Sequence, residues 1–432
     1  DAIQAVIAGK GLLERDGDEF IDSHLDAEIK VANLSPFSSW VTRPLPDQDL
    51  QLSVELDSRA GVLVIEQLEM RSGNSNLSVT GRAANPSFPQ LTLAGQSQLI
   101  NLAPWRPTFL AGKANMDSEV TTASTPPPTS QLIPDYPISF DAWKEFEADI
   151  SLDIDNLTGL LRPLEELQSV FSLQRDGLRV DELSFDDGVN GSVAMSGSLV
   201  DQDKTPHLDL ALTGESLIYG IPKAPEEDVD ALPAYDVKLR LTGSGQTTRT
   251  LAKSLNGYLN LAMGSGHILN TGFDRLSNTF LQELSNALNP FKEQQTVTAI
   301  NCAAVFNTIE NGQAFGQPSI VVDTPKVKIL ADTHVSFDTE KVKASFKTIP
   351  QKGLGINMSS LVNPFVEVTG TLSAPRISLN PANTVVGGSL AVVTGGISLL
   401  LRSVLERLST ARNICAKRLQ KANEAMAELD SL

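Results

Sequence analysis

Strict alternation of apolar and polar residues, recurring along most of the chain, constrains the fold more than any other feature. Leu50-Gln51-Leu52-Ser53-Val54-Glu55-Leu56 and Ile150-Ser151-Leu152-Asp153-Ile154 each send every second side chain to one face. Leu208-Asp209-Leu210-Ala211-Leu212, Val237-Lys238-Leu239-Arg240-Leu241 and Val335-Ser336-Phe337 follow the same rule. A period of two belongs to a strand with one buried and one wet face, not to a helix. Strands of that kind build antiparallel sheet, because a parallel sheet is covered on both faces and reads as a continuous apolar run. The chain is therefore predicted to be mainly β.

An internal repeat organises these strands. Residues 61–70 resemble 177–185, 76–81 resemble 192–197, and 89–95 resemble 206–210, so each copy is a three-strand meander. A degenerate copy of the last strand lies at 24–31 and runs into Asn33-Leu34-Ser35-Pro36-Phe37, which parallels Asn101-Leu102-Ala103-Pro104-Trp105. The expected architecture is an elongated, curled antiparallel β-sheet, a groove-like repeat array with a few helices and a C-terminal helix. Its segments are a first β-repeat at 1–122, a Pro/Thr-rich loop at 123–138, a second β-repeat at 139–221 and an acidic loop at 222–234. A third β region follows at 235–381, and 382–432 is apolar and then basic. Helical spacing predicts helices at 162–171, with Leu164, Leu167 and Phe171 on one face, at 273–288, and from 389 to about 427.

Composition excludes several functions. The formal net charge is -18 with no basic stripe through the body, which argues against a nucleic-acid partner. His24, His207, His267 and His334 are isolated in sequence, with no zinc-binding spacing, and the two cysteines are too few for a four-cysteine site. No nucleophile elbow occurs, and the adjacent acids Asp186-Asp187 and Glu226-Glu227-Asp228 read as solvated loops. The expectation is a protein that is not an enzyme, with no metal and no cofactor. The apolar stretch 385–401 is about 17 residues long and broken by Gly387, Gly388, Gly395 and Gly396, so it is not read as a membrane span. The chain starts at Asp1 without a basic, apolar leader, and an anchor is expected upstream.

The positive functional signal is one row of apolar side chains. Leu63, Ile65, Leu68, Met70, Leu77, Val79, Leu91 and Leu93 in the first copy answer to Val180, Leu183, Phe185, Val193, Met195, Leu208 and Leu210 in the second. Such a face either folds over and fills its own dry core, or forms a trough that takes acyl chains, each buried methylene contributing about 0.8 kcal/mol.

Residues 235–420 carry ordered landmarks that resemble the AsmA-like C-terminal region. They run from Leu255-Asn256-Gly257-Tyr258-Leu259-Asn260-Leu261 and Gly266-His267-Ile268 to Asn301-Cys302-Ala303-Ala304-Val305-Phe306 and Asn311-Gly312. Val322-Asp323-Thr324-Pro325, Ile349-Pro350, Val366-Glu367-Val368-Thr369-Gly370, Ala374-Pro375-Arg376-Ile377 and Asn380-Pro381 follow in order. The resemblance to the AsmA family implies a periplasmic body anchored in the inner membrane, with an apolar groove for phospholipid or another acyl lipid. It also implies a part in phospholipid transport and outer-membrane assembly, with outer-membrane or envelope proteins as partners. The alternative is a structural or interaction scaffold of the envelope with a self-filled β core; an envelope-polymer enzyme ranks third. In an oxidising periplasm Cys302 and Cys415 either bridge the sheet to the terminal helix or stand as two thiols. The basic stretch with Arg402, Arg407, Arg412, Lys417, Arg418 and Lys421 suits a membrane interface or a helix capping the acidic body.

Overall fold

The structure is a computed structural model that describes residues 5–16, 19–40, 45–59, 62–84, 88–105, 131–141, 144–160, 162–218, 232–269, 297–351, 365–379 and 413–430. The fold is mainly β, and the described residues divide between two compact units. One is drawn from 1–125 and 139–204, the other from 126–138 and 205–432.

The first unit holds β1 (Ala5–Asp16), β2 (Glu19–Val31), β3 (Leu50–Arg59), β4 (Val62–Ser72), β5 (Ser75–Ala84), β6 (Gln90–Ser97) and the short β7 (Ile100–Asn101). It continues with β8 (Glu147–Thr158), β9 (Leu164–Gln174), β10 (Gly177–Asp186) and β11 (Ser192–Gln202). From β1 to β6 each strand pairs antiparallel with the next, as the alternation requires. β6 and β7 then pair with β8 in parallel, within a sheet that is otherwise mostly antiparallel. A parallel partner cannot be reached through a tight turn, and the long connection after residue 101 supplies the crossover. The β8, β9, β10 and β11 ladder is antiparallel again.

The helix predicted at 162–171 is strand β9. Glu166 has φ 50 and the register against β10 slips between Ser184 and Asp186. That bulge falls between Leu164 and Leu167, whose three-residue interval imitates a helical turn in a chain that stays extended.

The second unit contains β12 (Thr205–Ile218), β13 (Ala234–Ser244), α1 (Thr248–Ser254), β14 (Asn256–Met263), β15 (Gly266–Leu269) and β16 (Val297–Ile300). β17 (Cys302–Glu310), β18 (Gln313–Asp323), β19 (Val327–Ser336), β20 (Val342–Pro350), β21 (Phe365–Gly370), β22 (Pro375–Leu379) and α2 (Ile414–Leu429) complete it. β12, β13, β14, β17, β18, β19, β20, β21 and β22 form one antiparallel ladder, and β15 pairs with β16 separately. The short α1, absent from the sequence reading, is nucleated by a capping box between Thr247 and Thr250.

α2 lies across β14, β17 and β18. Its apolar side buries Ile414 and Cys415 against Ala304, Val321 and Leu330, and Ala422 and Met426 against Tyr258 and Phe306. Cys302 and Cys415 form a disulfide, and the Tyr258 hydroxyl donates to Asp430 at 3.2 Å beyond the other end of the helix. The single helix predicted from 389 to about 427 is corrected at Asn413, whose non-helical backbone and side-chain bond to the Ala416 N–H make it an N-cap. A helix therefore begins there and does not pass through. The predicted helix 273–288, the apolar stretch 385–401 and the acidic loop after residue 222 lie outside the described residues.

Candidate functional site

In a sheet, directly paired residues share a face, so register shows which apolar side chains stand together. In the first unit Leu25, Leu56, Ile65, Gly81, Leu93, Ile150, Phe171, Val180 and Gly197 are successive partners from β2 to β11. The adjoining row is Ala27, Val54, Leu68, Val79, Gly95, Leu152, Ser169, Leu183 and Met195. A third row begins with Ile29, Leu52, Met70 and Leu77, and Phe185 faces Val193 at the far end. Leu63 and Leu91 join the same face through Ala83. With strands spaced at about 4.8 Å, the face spans roughly 40 Å.

The repeat is preserved to the level of its irregularities. Ile65 opposes Gly81 and, after a bulge, Leu68 opposes Val79; Val180 opposes Gly197 and, after the same bulge, Leu183 opposes Met195. The bulge keeps Ile65 and Leu68 on one face although they are three residues apart, and likewise Val180 and Leu183. Leu208 and Leu210 lie on β12 in the second unit, opposite Gly243 and Leu241.

Most of this face is half-buried, and Leu25 and Leu63 keep 42% and 40% of their surface. Within this unit the described strands make their main contacts with their ladder neighbours, and Ile154 and Ser169 on the apolar face are buried. The second unit differs: among the described residues, all three clusters of buried apolar side chains belong to it, two of them under α2. The reverse face of the first unit is wet, with Glu55, Thr80, Arg82, Gln96, Asp153, Gln168 and Ser196 exposed.

That wet face carries a cluster hidden from the sequence reading. His24 Nδ1 is 2.6 Å from Asp57 Oδ1, and His24 Nε2 is 3.2 Å from Asp26 Oδ1. Glu55 opposes Asp26 in the β2–β3 ladder, and His24, Asp26 and Glu55 bring ligand-type atoms within 4.8 Å of one another. The hydrogen bond to Asp57, with the charges of Asp26, Asp57 and Glu55, holds His24 above the ordinary imidazole value. His24 is thus not isolated: Asp57 is 33 residues away in sequence and adjacent only through strand pairing.

Two further sequence readings change. Asp187 is buried, and its Oδ1 accepts from the N–H groups of Val189, Asn190 and Gly191, so it organises a turn while Asp186 is exposed. Arg418, counted among headgroup-facing or acid-pairing cations, is 6% exposed and donates to the Phe306 carbonyl oxygen at 3.1 Å. Burial pushes its pKa down to about 10. Lys417 and Lys421 remain exposed.

No described helix is long and apolar enough to cross a membrane. Comparison with protein-family models, with curated proteins and with solved structures found no match.

Proposed function

We propose that the chain is a non-enzymatic lipid-binding or lipid-transfer scaffold of the AsmA type, periplasmic and anchored upstream in the inner membrane. In this reading it holds phospholipid or another acyl lipid and contributes to phospholipid transport and outer-membrane assembly, with outer-membrane or envelope proteins as partners. The observation that carries the reading is the register-aligned apolar face from β2 to β11, most of it half-buried, with Leu25 and Leu63 exposed. Soluble monomers rarely leave a contiguous apolar patch of that extent uncovered. Acyl chains would cover it with a gain of about 0.8 kcal/mol per buried methylene.

The second reading, a structural scaffold with a filled core, draws on α2, whose disulfide and buried side chains close the sheet of the second unit. Solvent extraction of the purified full chain followed by mass spectrometry separates the two. Near-stoichiometric acyl lipid, reduced in Phe185→Asp and Met195→Glu but not in the wet-face variant Gln168→Glu, is the expected result. Folded protein free of lipid in every preparation contradicts the lipid reading and leaves the scaffold.

A further inference from the structure

We propose that His24, Asp26 and Glu55 form a binding site for a divalent metal ion of the zinc class, with Asp57 as the carboxylate that positions His24. The four residues form a two-by-two patch of direct partners on the wet face: His24 opposes Asp57, and Asp26 opposes Glu55. Each strand contributes residues i and i+2, which pleating sends to the same side. The site is thus built on paired strands, where backbone positions are fixed better than in a loop.

The histidine is arranged as metal-ligating histidines are. Such an imidazole gives one nitrogen to the metal and its other N–H to a carboxylate, which sets the tautomer and the ring orientation. Here Asp57 Oδ1 sits 2.6 Å from Nδ1, which leaves Nε2 directed at Asp26. Zinc bonded to nitrogen and oxygen at about 2.0–2.1 Å in a tetrahedron needs neighbouring ligand atoms about 3.3 Å apart. His24 Nε2 and Asp26 Oδ1 are 3.2 Å apart. The whole set falls within 4.8 Å, so the exposed Glu55 closes the site by a rotamer change of its own. Lys10 lies 3.3 Å from Asp26 Oδ2, while His24 is paired with Oδ1, the oxygen that would take the metal.

Charge and donor type select the ion. Asp26, Glu55 and Asp57 against Lys10 leave a local charge that a dication neutralises. One imidazole and two carboxylates suit zinc and its neighbours, whereas calcium takes six to eight oxygens and magnesium an octahedron of them. The fourth position is open to water or to a donor from another molecule.

Isothermal titration of zinc into the untagged, chelator-stripped full chain tests the proposal, with cobalt(II) absorption as a second readout. One site per chain is expected, together with a tetrahedral cobalt spectrum. His24→Asn and Glu55→Gln should each weaken zinc binding at least tenfold and abolish that spectrum. Asp57→Asn, which removes no ligand, should weaken binding by roughly 10–100-fold. Glu28→Gln, exposed on the same strand, should change neither readout, and circular dichroism confirms that each variant is folded. Zinc binding by folded His24→Asn equal to that of the unaltered chain overturns the proposal, as does binding that calcium or magnesium displaces at equal concentration. Because the site is on the face opposite the apolar rows, either result is independent of whether the chain carries lipid.

Discussion

Cys302, the first residue of β17, is bonded to Cys415 in the first turn of α2, across a sequence separation of 113 residues. The bond fixes the N-terminal end of the helix to the sheet it covers, while Tyr258 holds the other end through Asp430. Closing so long a loop removes freedom chiefly from the unfolded chain. Reduction, or the Cys302→Ala/Cys415→Ala pair, is expected to lower stability by about 2–5 kcal/mol. Thermal unfolding with and without reductant checks this. The unaltered chain should shift down on reduction and the double variant should not respond.

Gly257 sits at φ +137, and a Cβ there would lie 1.9 Å from the Arg240 carbonyl oxygen. Neither the conformation nor the space admits a side chain. Gly257→Ala should cost at least about 1–3 kcal/mol in denaturant unfolding. Gly264→Ala, where the nearest atom would be 3.6 Å away, should stay close to neutral.

Burial pushes the Asp332 carboxyl up to about 6 from its ordinary 3.8. Its Oδ1 has no hydrogen-bond partner among the described residues. Since the folded state holds the proton more tightly than the unfolded chain, ionisation of Asp332 opposes folding. That penalty is absent below about pH 4, grows between pH 4 and 6, and is complete above pH 6. The full displacement converts to about 3 kcal/mol in a wholly dry site, and partial solvent access reduces it to on the order of 1–2 kcal/mol. Asp332→Asn is therefore expected to be the more stable protein at pH 7 and to lose that advantage at pH 4. Denaturant titrations of both proteins at the two pH values give the comparison, and a difference independent of pH contradicts it.

Alternation made the strands legible, because a half-buried strand writes its two faces into every second residue. The repeat went further and aligned Ile65 with Val180 and Leu68 with Leu183, the positions that flank equivalent bulges. Where the chain leaves the ideal pleat, the same logic misleads: the left-handed Glu166 gave β9 a three-residue apolar interval, which reads as helix. Long-range pairing was out of reach. Nothing local reveals that β6 meets β8 in parallel, or that His24 faces Asp57, since both depend on register between distant segments. Arg418 shows the limit of charge counting, because its position on the inner side of α2 outweighs its ionic character.

The central claim is that acyl chains lie on the apolar rows of the first unit and not on its reverse. A photoreactive side chain placed singly at Leu152, Asp153, Met195 or Ser196, in cells that express the full protein, tests it most directly. Leu152 and Met195 belong to the apolar rows, and exposed Asp153 and Ser196 are their immediate neighbours on the wet face. Illumination followed by mass spectrometry is predicted to yield lipid adducts at Leu152 and Met195 and none at Asp153 or Ser196. Adducts at all four positions alike, or at none of them in folded protein, would contradict the account.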